Sequence, residues 1–163
     1  MTFWVWTANL LGWPLIHVSI ARVFLLIPLR HFAFKNSSRD REEAFYRKVF
    51  AVRLWKARLP DGAPWLGGSS KKRLSGRDSA YIANFILETR RAELAHWCML
   101  ACLPVFFLWN PVWARWVMTA YAGAANVPCI VAQRYNRLVM IRILAKLEGK
   151  KGKEPHAKLI HRF

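Results

Sequence analysis

Leu87-Glu-Thr-Arg-Arg-Ala-Glu-Leu-Ala-His-Trp97 runs without a break into the apolar stretch Cys98 to Leu108. Glu88, Arg90, Arg91, Glu93 and His96 therefore stand at the mouth of a segment fit to enter a membrane. Charge at that depth is unfavourable unless it is paired, and it is usually kept for a task. A helix turns about 100° per residue, so Thr89, Glu93, His96 and Leu100 share one face, with Arg90 beside Glu93. On that face a Glu93 carboxylate accepting from one nitrogen of His96 fixes the tautomer. The other nitrogen is left to take a proton from a hydroxyl, which is what a general base needs. Arg90 and Arg91 have a plainer reading, as charges that stop the helix sliding into lipid.

Composition sets the class. The chain has 163 residues, 55% hydrophobic content and nine Trp beside a net charge of +17. That combination fits neither an ordinary soluble domain nor a disordered basic chain. It predicts a small all-α integral membrane protein, with the basic surfaces facing anionic lipid headgroups and an anionic substrate. Nucleic acid is not indicated, because no recognition motif is present and the aromatics lie within apolar runs. Cys98, Cys102 and Cys129 have no CxxC spacing, so neither a disulfide framework nor a zinc or other metal site is indicated; they read as small core residues.

Outward from the central stretch, the spacing predicts about three transmembrane helices plus cytoplasmic interfacial helices, in one membrane domain. The spans fall at about 3–29, 92–109 and 113–133, each long enough for a hydrocarbon core of about 30 Å. The first lacks a basic n-region and a small-residue cleavage site, so it reads as a retained anchor. His17 and Arg22 within it are secondary candidates, the first as a satisfied interior histidine and the second as a snorkelling side chain. The segment 30–91 carries fifteen Lys and Arg against six Asp and Glu. Within it Ser38 to Val52 reads as an amphipathic helix along the membrane surface, opened by Ser38. Pro60-Asp61-Gly62 is a turn, and Gly67 to Arg73 is a cationic loop without P-loop spacing. Asp78 or Ser79 caps the helix that carries the central stretch.

Trp109, Trp113 and Trp116 cluster at the turn closed by Asn110-Pro111, as aromatic belts do. On the return helix Asn126, Gln133 and Met140 share a face, with Asn136 and Arg137 close to Gln133. Interhelical hydrogen bonding is the plain reading of the amides. Gln133-Arg-Tyr-Asn-Arg137 arrives at the level of Glu93 and His96, which favours a shared site. The basic residues put segment 30–91 and the tail 134–163 in the cytoplasm, with the amino terminus outside. The tail reads as a solvated, lipid-binding extension.

Three blocks in order carry a resemblance: Val52-Arg-Leu-Trp-Lys-Ala-Arg-Leu-Pro-Asp-Gly62, Glu88-Thr-Arg-Arg-Ala-Glu-Leu-Ala-His-Trp97 and Ala125-Asn-Val-Pro-Cys-Ile-Val-Ala-Gln-Arg-Tyr-Asn-Arg137. Together they resemble the glycosyl-4,4'-diaponeurosporenoate acyltransferase family, small bacterial membrane enzymes that esterify the sugar of staphyloxanthin-type carotenoids. The resemblance implies a multi-pass protein of the bacterial cell (inner) membrane. Its site would face the cytoplasm and move a fatty acyl chain to a hydroxyl of a glycolipid acceptor. The pattern departs at Leu138, where the family has proline, and the first span and the Gly67 to Arg73 loop match little.

For that reaction His96 is the general base and Glu93 its orienting carboxylate. Lys56, Arg91, Arg134 and Arg137 hold donor phosphates or polarise the oxyanion, and Asn126, Gln133 and Asn136 supply hydrogen-bond donors to it. Trp55 and Asp61 shape the entrance, and Glu88 and Tyr135 complete the substrate-binding set. No GxSxG elbow is present, so transfer is direct. The acyl chain enters through a groove between the second and third spans. No resident cofactor is implied; acyl-CoA or acyl carrier protein is the co-substrate. A homodimer or a complex with a pathway partner would thicken a thin bundle. Two other classes remain: a metal enzyme using Glu88 and Glu93-x-x-His96 as half a carboxylate–histidine site, and a non-catalytic adaptor binding anionic lipid or a partner.

Overall fold

In a computed structural model the described residues are 2–34, 40–59, 76 and 78–151. They form helices and turns, with no strand among them. Asp61, Ser38, the Gly67 to Arg73 loop and the end of the tail lie outside the described residues.

Helix α1, Phe3–Leu26, is apolar on every side and only Val5 and Trp13 along it are buried. Phe3, Leu10, Leu15 and Leu26 stand exposed. A 3-10 turn, Leu29–Phe32, leads out of it. Helix α2, Asp40–Lys48, and the single turn α3, Val52–Trp55, replace the continuous helix expected from Ser38 to Val52. The break is at Ala51, whose φ of 45° places it in the left-handed region. A second 3-10 turn, Lys56–Arg58, follows α3.

Helix α4, Ser79–Ala101, starts where the sequence predicts, with an Asp78 carboxylate oxygen accepting from the Tyr81 N–H at 3.3 Å. It gives way to the 3-10 stretch Leu103–Leu108 because Pro104 disfavours α geometry at the residue before it. Helix α5 then runs from Val112 to Lys151 without interruption, through Pro128, for about 60 Å at 1.5 Å per residue.

The charged stretch and the apolar residues that follow it share this one helix, as the Asp78 cap predicts. The tail is not solvated from residue 134, contrary to expectation, since Tyr135, Arg137, Leu138 and Ile141 are buried against the other helices. Two helical stretches are long and apolar enough to cross a membrane, Phe3–Leu26 and Ser79–Leu108. The return stretch 113–133, interrupted by Arg115, Asn126 and Gln133, is not among them. The cysteines are also not core residues: all three are free thiols, Cys98 exposed and the others half-buried.

Two apolar clusters hold the paired helices. Trp13, Phe106, Met118 and Ala122 form one, and Ile82, Ile86 and Ile141 form the other. Along α4 and α5 the buried polar residues Glu88, Thr89, Arg91, Glu93, Asn126 and Arg137 fall between these clusters, which places the charged stretch in a bracket of packed side chains. At the first end, Asn9 and Asn110 exchange amide hydrogen bonds at 2.8 Å in both directions. The Trp109 indole also donates to Asn9 Oδ1 at 2.9 Å, which fixes α1 to the turn before α5. Asn110 is 2% exposed, so Asn110→Ala leaves buried amide groups without partners. The expected loss is about 1–3 kcal/mol, read as a lower thermal midpoint of the detergent-solubilised protein.

Candidate active site

Helices α4 and α5 meet along a polar seam. Its deepest member is the pair His96 and Asn126, with His96 Nδ1 2.8 Å from Asn126 Oδ1. The Asn126 Nδ2 donates to the Ala122 carbonyl at 2.9 Å, and the residue is completely buried. That second bond fixes which end of the amide faces the imidazole. An amide oxygen only accepts, so Nδ1 carries the hydrogen and Nε2 keeps its lone pair. His17 of α1 lies near enough to act electrostatically on His96, while its own Nδ1 bonds the Trp13 carbonyl at 3.0 Å. His17 is thus satisfied, as expected, and Arg22 is exposed.

Glu93 does not brace His96, contrary to the sequence expectation. Its carboxylate is taken by Arg137, an ionic contact between groups 4% and 6% exposed, and by Arg134 Nη1 at 3.5 Å. The 3.6-residue period puts Glu93 and His96 on one face but cannot say which groups of α5 arrive there. Two arginines are stronger partners for a carboxylate than a neutral imidazole. The amide, and not the carboxylate, is the group that orients the imidazole.

Arg134 continues the network to α2, donating from Nε to Glu42 Oε1 at 2.9 Å. Arg142 pairs with the buried Glu43 at 3.0 Å. Sequence reasoning used neither glutamate, although an acidic pair in a strongly basic segment is a visible signal for buried arginine partners. Tyr46 was missed as well. Burial pushes its phenol above the usual range, against the pull of Arg134, so it remains a protonated donor beside Arg134, Glu42 and Glu93.

The other candidates fall into separate places. Lys56 Nζ donates to Asn136 Oδ1 at 2.7 Å and stands 4.9 Å from the Tyr135 ring centroid, which brings three of the candidates together. Burial, then the charge of Arg53, pushes the Lys56 amine below the ordinary lysine range. Gln133 Oε1 is buried on the same seam with no hydrogen-bond partner among the described residues. Arg91 turns instead to Glu88, with Nη2 2.6 and 2.8 Å from the two carboxylate oxygens. Both are buried, so neither stands in the Glu93 cluster. Trp55 spends its indole N–H on the Phe50 carbonyl at 2.7 Å.

A cleft of about 370 Å³ opens on the outer flank of α5, between the α2–α3 turn and the helix. Phe50, Trp55 and Leu59 form one wall and Val127, Pro128 and Val131 the other, with Arg58 among them. The acyl groove anticipated from sequence was placed between the second and third spans, on the other side of α5.

The architecture is that of a helical protein with an apolar exterior around a buried seam of histidine, amide and guanidinium groups. The family model described as glycosyl-4,4'-diaponeurosporenoate acyltransferase matches residues 30–146, which include the whole seam. The chain is 34% identical over 143 residues to the glycosyl-4,4'-diaponeurosporenoate acyltransferase of Staphylococcus aureus strain bovine RF122 / ET3-1, covering 83% of this chain and 86% of that protein. It is 34% identical over 145 residues to the protein of the same name from strain Newman, covering 85% and 87%. No solved structure matches. The chain belongs to the glycosyl-4,4'-diaponeurosporenoate acyltransferase family.

Proposed function

We propose that this protein transfers a fatty acyl group from an activated donor to a sugar hydroxyl of a glycosyl-diaponeurosporenoate or a closely similar glycolipid. The bond from Asn126 Oδ1 to His96 Nδ1 carries the reading, because it leaves Nε2 as a bare base. In this mechanism Nε2 takes the proton of the sugar hydroxyl as its oxygen attacks the acyl carbonyl carbon. The tetrahedral oxyanion is met by donors of the seam, Tyr46 and Arg134 being the available groups beside Glu93. Collapse breaks the bond to the donor's leaving group, which recovers the proton from Nε2. Gln133 Oε1, buried and short of a donor, suits a second hydroxyl of the sugar.

The membrane reading rests on surface chemistry. Helix α1 exposes many large apolar side chains, and across α2, the turn after it and α3, Glu42 and Glu43 face arginines of α5 while Phe45, Val49, Phe50 and Leu54 are exposed. An apolar patch of that extent is stable against lipid rather than water. We place α1, α4 and the first half of α5 across the bacterial cell membrane, and α2–α3 in its cytoplasmic interface.

The test is lipid mass spectrometry of a host making the glycosylated carotenoid acid, with and without this chain. A glycolipid gaining one fatty-acyl mass only when the chain is present supports the reading. An unchanged glycolipid pool, with the protein demonstrably in the membrane, refutes it.

A further inference from the structure

We propose that the cleft between the α2–α3 turn and α5 is the donor site, and that it takes an amphiphile with one fatty acyl chain and a phosphate-bearing head. This rests on the acyl-transfer reading and names its co-substrate class. The walls are apolar on both sides, and the Trp55 N–H is already used by the Phe50 carbonyl. A sugar in this cleft would therefore find almost no hydrogen-bonding group, whereas a hydrocarbon chain leaves nothing unsatisfied. The volume of about 370 Å³ lies within the range of ligand cavities.

The charge at the cleft has one sign. Arg58 is exposed, and it is the charged residue among those that line it. The carboxylates of Glu42, Glu43, Glu88 and Glu93 are engaged with Arg134, Arg142, Arg91 and Arg137, so none of them serves Arg58. A guanidinium at the rim of an apolar slot is matched by phosphate, which it can hold with two parallel bonds.

Tyr135 follows Val131 by four residues, so this face of α5 leads one turn onward to the ring beside Lys56, and Lys56 donates to Asn136. The inner wall is held by a strained residue: Ala51, at φ 45°, turns the chain so that Phe50 and Trp55 stand together. Strain of this kind persists where surrounding structure holds it, and it gathers at ligand clamps. Ala51→Gly relieves it and is expected to raise the midpoint of a thermal melt. The same change loosens the wall and lowers donor affinity.

The direct test uses the full chain in lipid nanodiscs with three photoreactive single-chain probes of equal chain length: a diazirine acyl-CoA, the lyso form of a diazirine phosphatidylglycerol and a diazirine fatty alcohol. Label sites are read by tandem mass spectrometry. Label in 50–59 and 127–131 from either phosphate-bearing probe supports the proposal, and which probe labels tells a soluble thioester donor from a lipid donor. Val131→Trp, or Leu59→Trp if the first fails to fold, should reduce that label at least about fivefold by filling the slot. Arg58→Ala should reduce it about three- to tenfold. Label elsewhere, or equal label from the fatty alcohol, overturns the proposal. Photolabelling needs no turnover, so a labelled cleft in a chain without transferase activity would count against the acyl-transfer reading and not against the site.

Discussion

His96→Ala lowers the acyl-transfer rate by about 10²- to 10⁴-fold while the protein still accumulates in the membrane. The loss is large because proton removal from the sugar hydroxyl has no other base placed for it: Glu93 is neutralised by Arg137 and Arg134. The fold survives because His96 is half-buried and makes one side-chain bond, which a water can replace at Asn126. Asn126 sharpens the expectation. Asn126→Leu keeps the branched shape of a fully buried residue but removes the acceptor for Nδ1–H, so both tautomers become available and the rate falls by about tenfold to a hundredfold. Asn126→Asp keeps an acceptor at the same place and retains more activity than Asn126→Leu. Initial rates on purified protein, normalised to folded material by size exclusion, decide the order wild type, Asn126→Asp, Asn126→Leu, His96→Ala.

Glu93→Ala acts on the fold instead. Arg137 is 4% exposed and meets Glu93 as its ionic partner, so truncation leaves its guanidinium buried beside Arg134 with no carboxylate to offset it, while Arg134 keeps Glu42. Breaking a buried pair from one side costs about 3–5 kcal/mol, a large share of a total that is typically about 5–15 kcal/mol. The expected result is a protein that falls to low membrane levels and, when captured, unfolds at much lower denaturant. Glu93→Leu combined with Arg137→Leu removes both charges and recovers most of that loss, because two apolar side chains of similar size fill the space without an unpaired ion. If the double substitution is no more stable than Glu93→Ala, the ion pair is not what Glu93 contributes. Arg134, tied also to Glu42 of α2, remains in either case to hold the interfacial helix.

Much of this architecture was legible in the residues. Asp78 announced the start of α4, Pro104 its end, and the charged run Glu88 to His96 announced that α4 carries the site. The resemblance in three blocks named the family before any coordinates did. What the sequence could not supply was the azimuth of one helix against another. Glu93 and His96 share a face by periodicity, yet their partners come from α5, and only packing shows that Asn126 reaches the imidazole while Arg137 reaches the carboxylate. The helix expected through Val52 was lost to Ala51, because a left-handed alanine has no signal in a sequence where glycine or asparagine would have had one. The tail misled for a related reason: its charges suggested solvent, but Tyr135, Leu138 and Ile141 recur at helical spacing and keep α5 packed beyond residue 134.

The tautomer of His96 tests the central claim most directly. Nitrogen-15 shifts of the imidazole, measured on the full chain in nanodiscs with His17, His31, His156 and His161 each replaced by Gln so that His96 is the one ring left, separate a protonated Nδ1 from a protonated Nε2. The account predicts hydrogen on Nδ1 and a lone pair on Nε2, with the pattern lost in Asn126→Leu. A ring protonated on Nε2, unchanged by Asn126→Leu, would mean that Asn126 does not orient the imidazole and that His96 is not the base of this reaction.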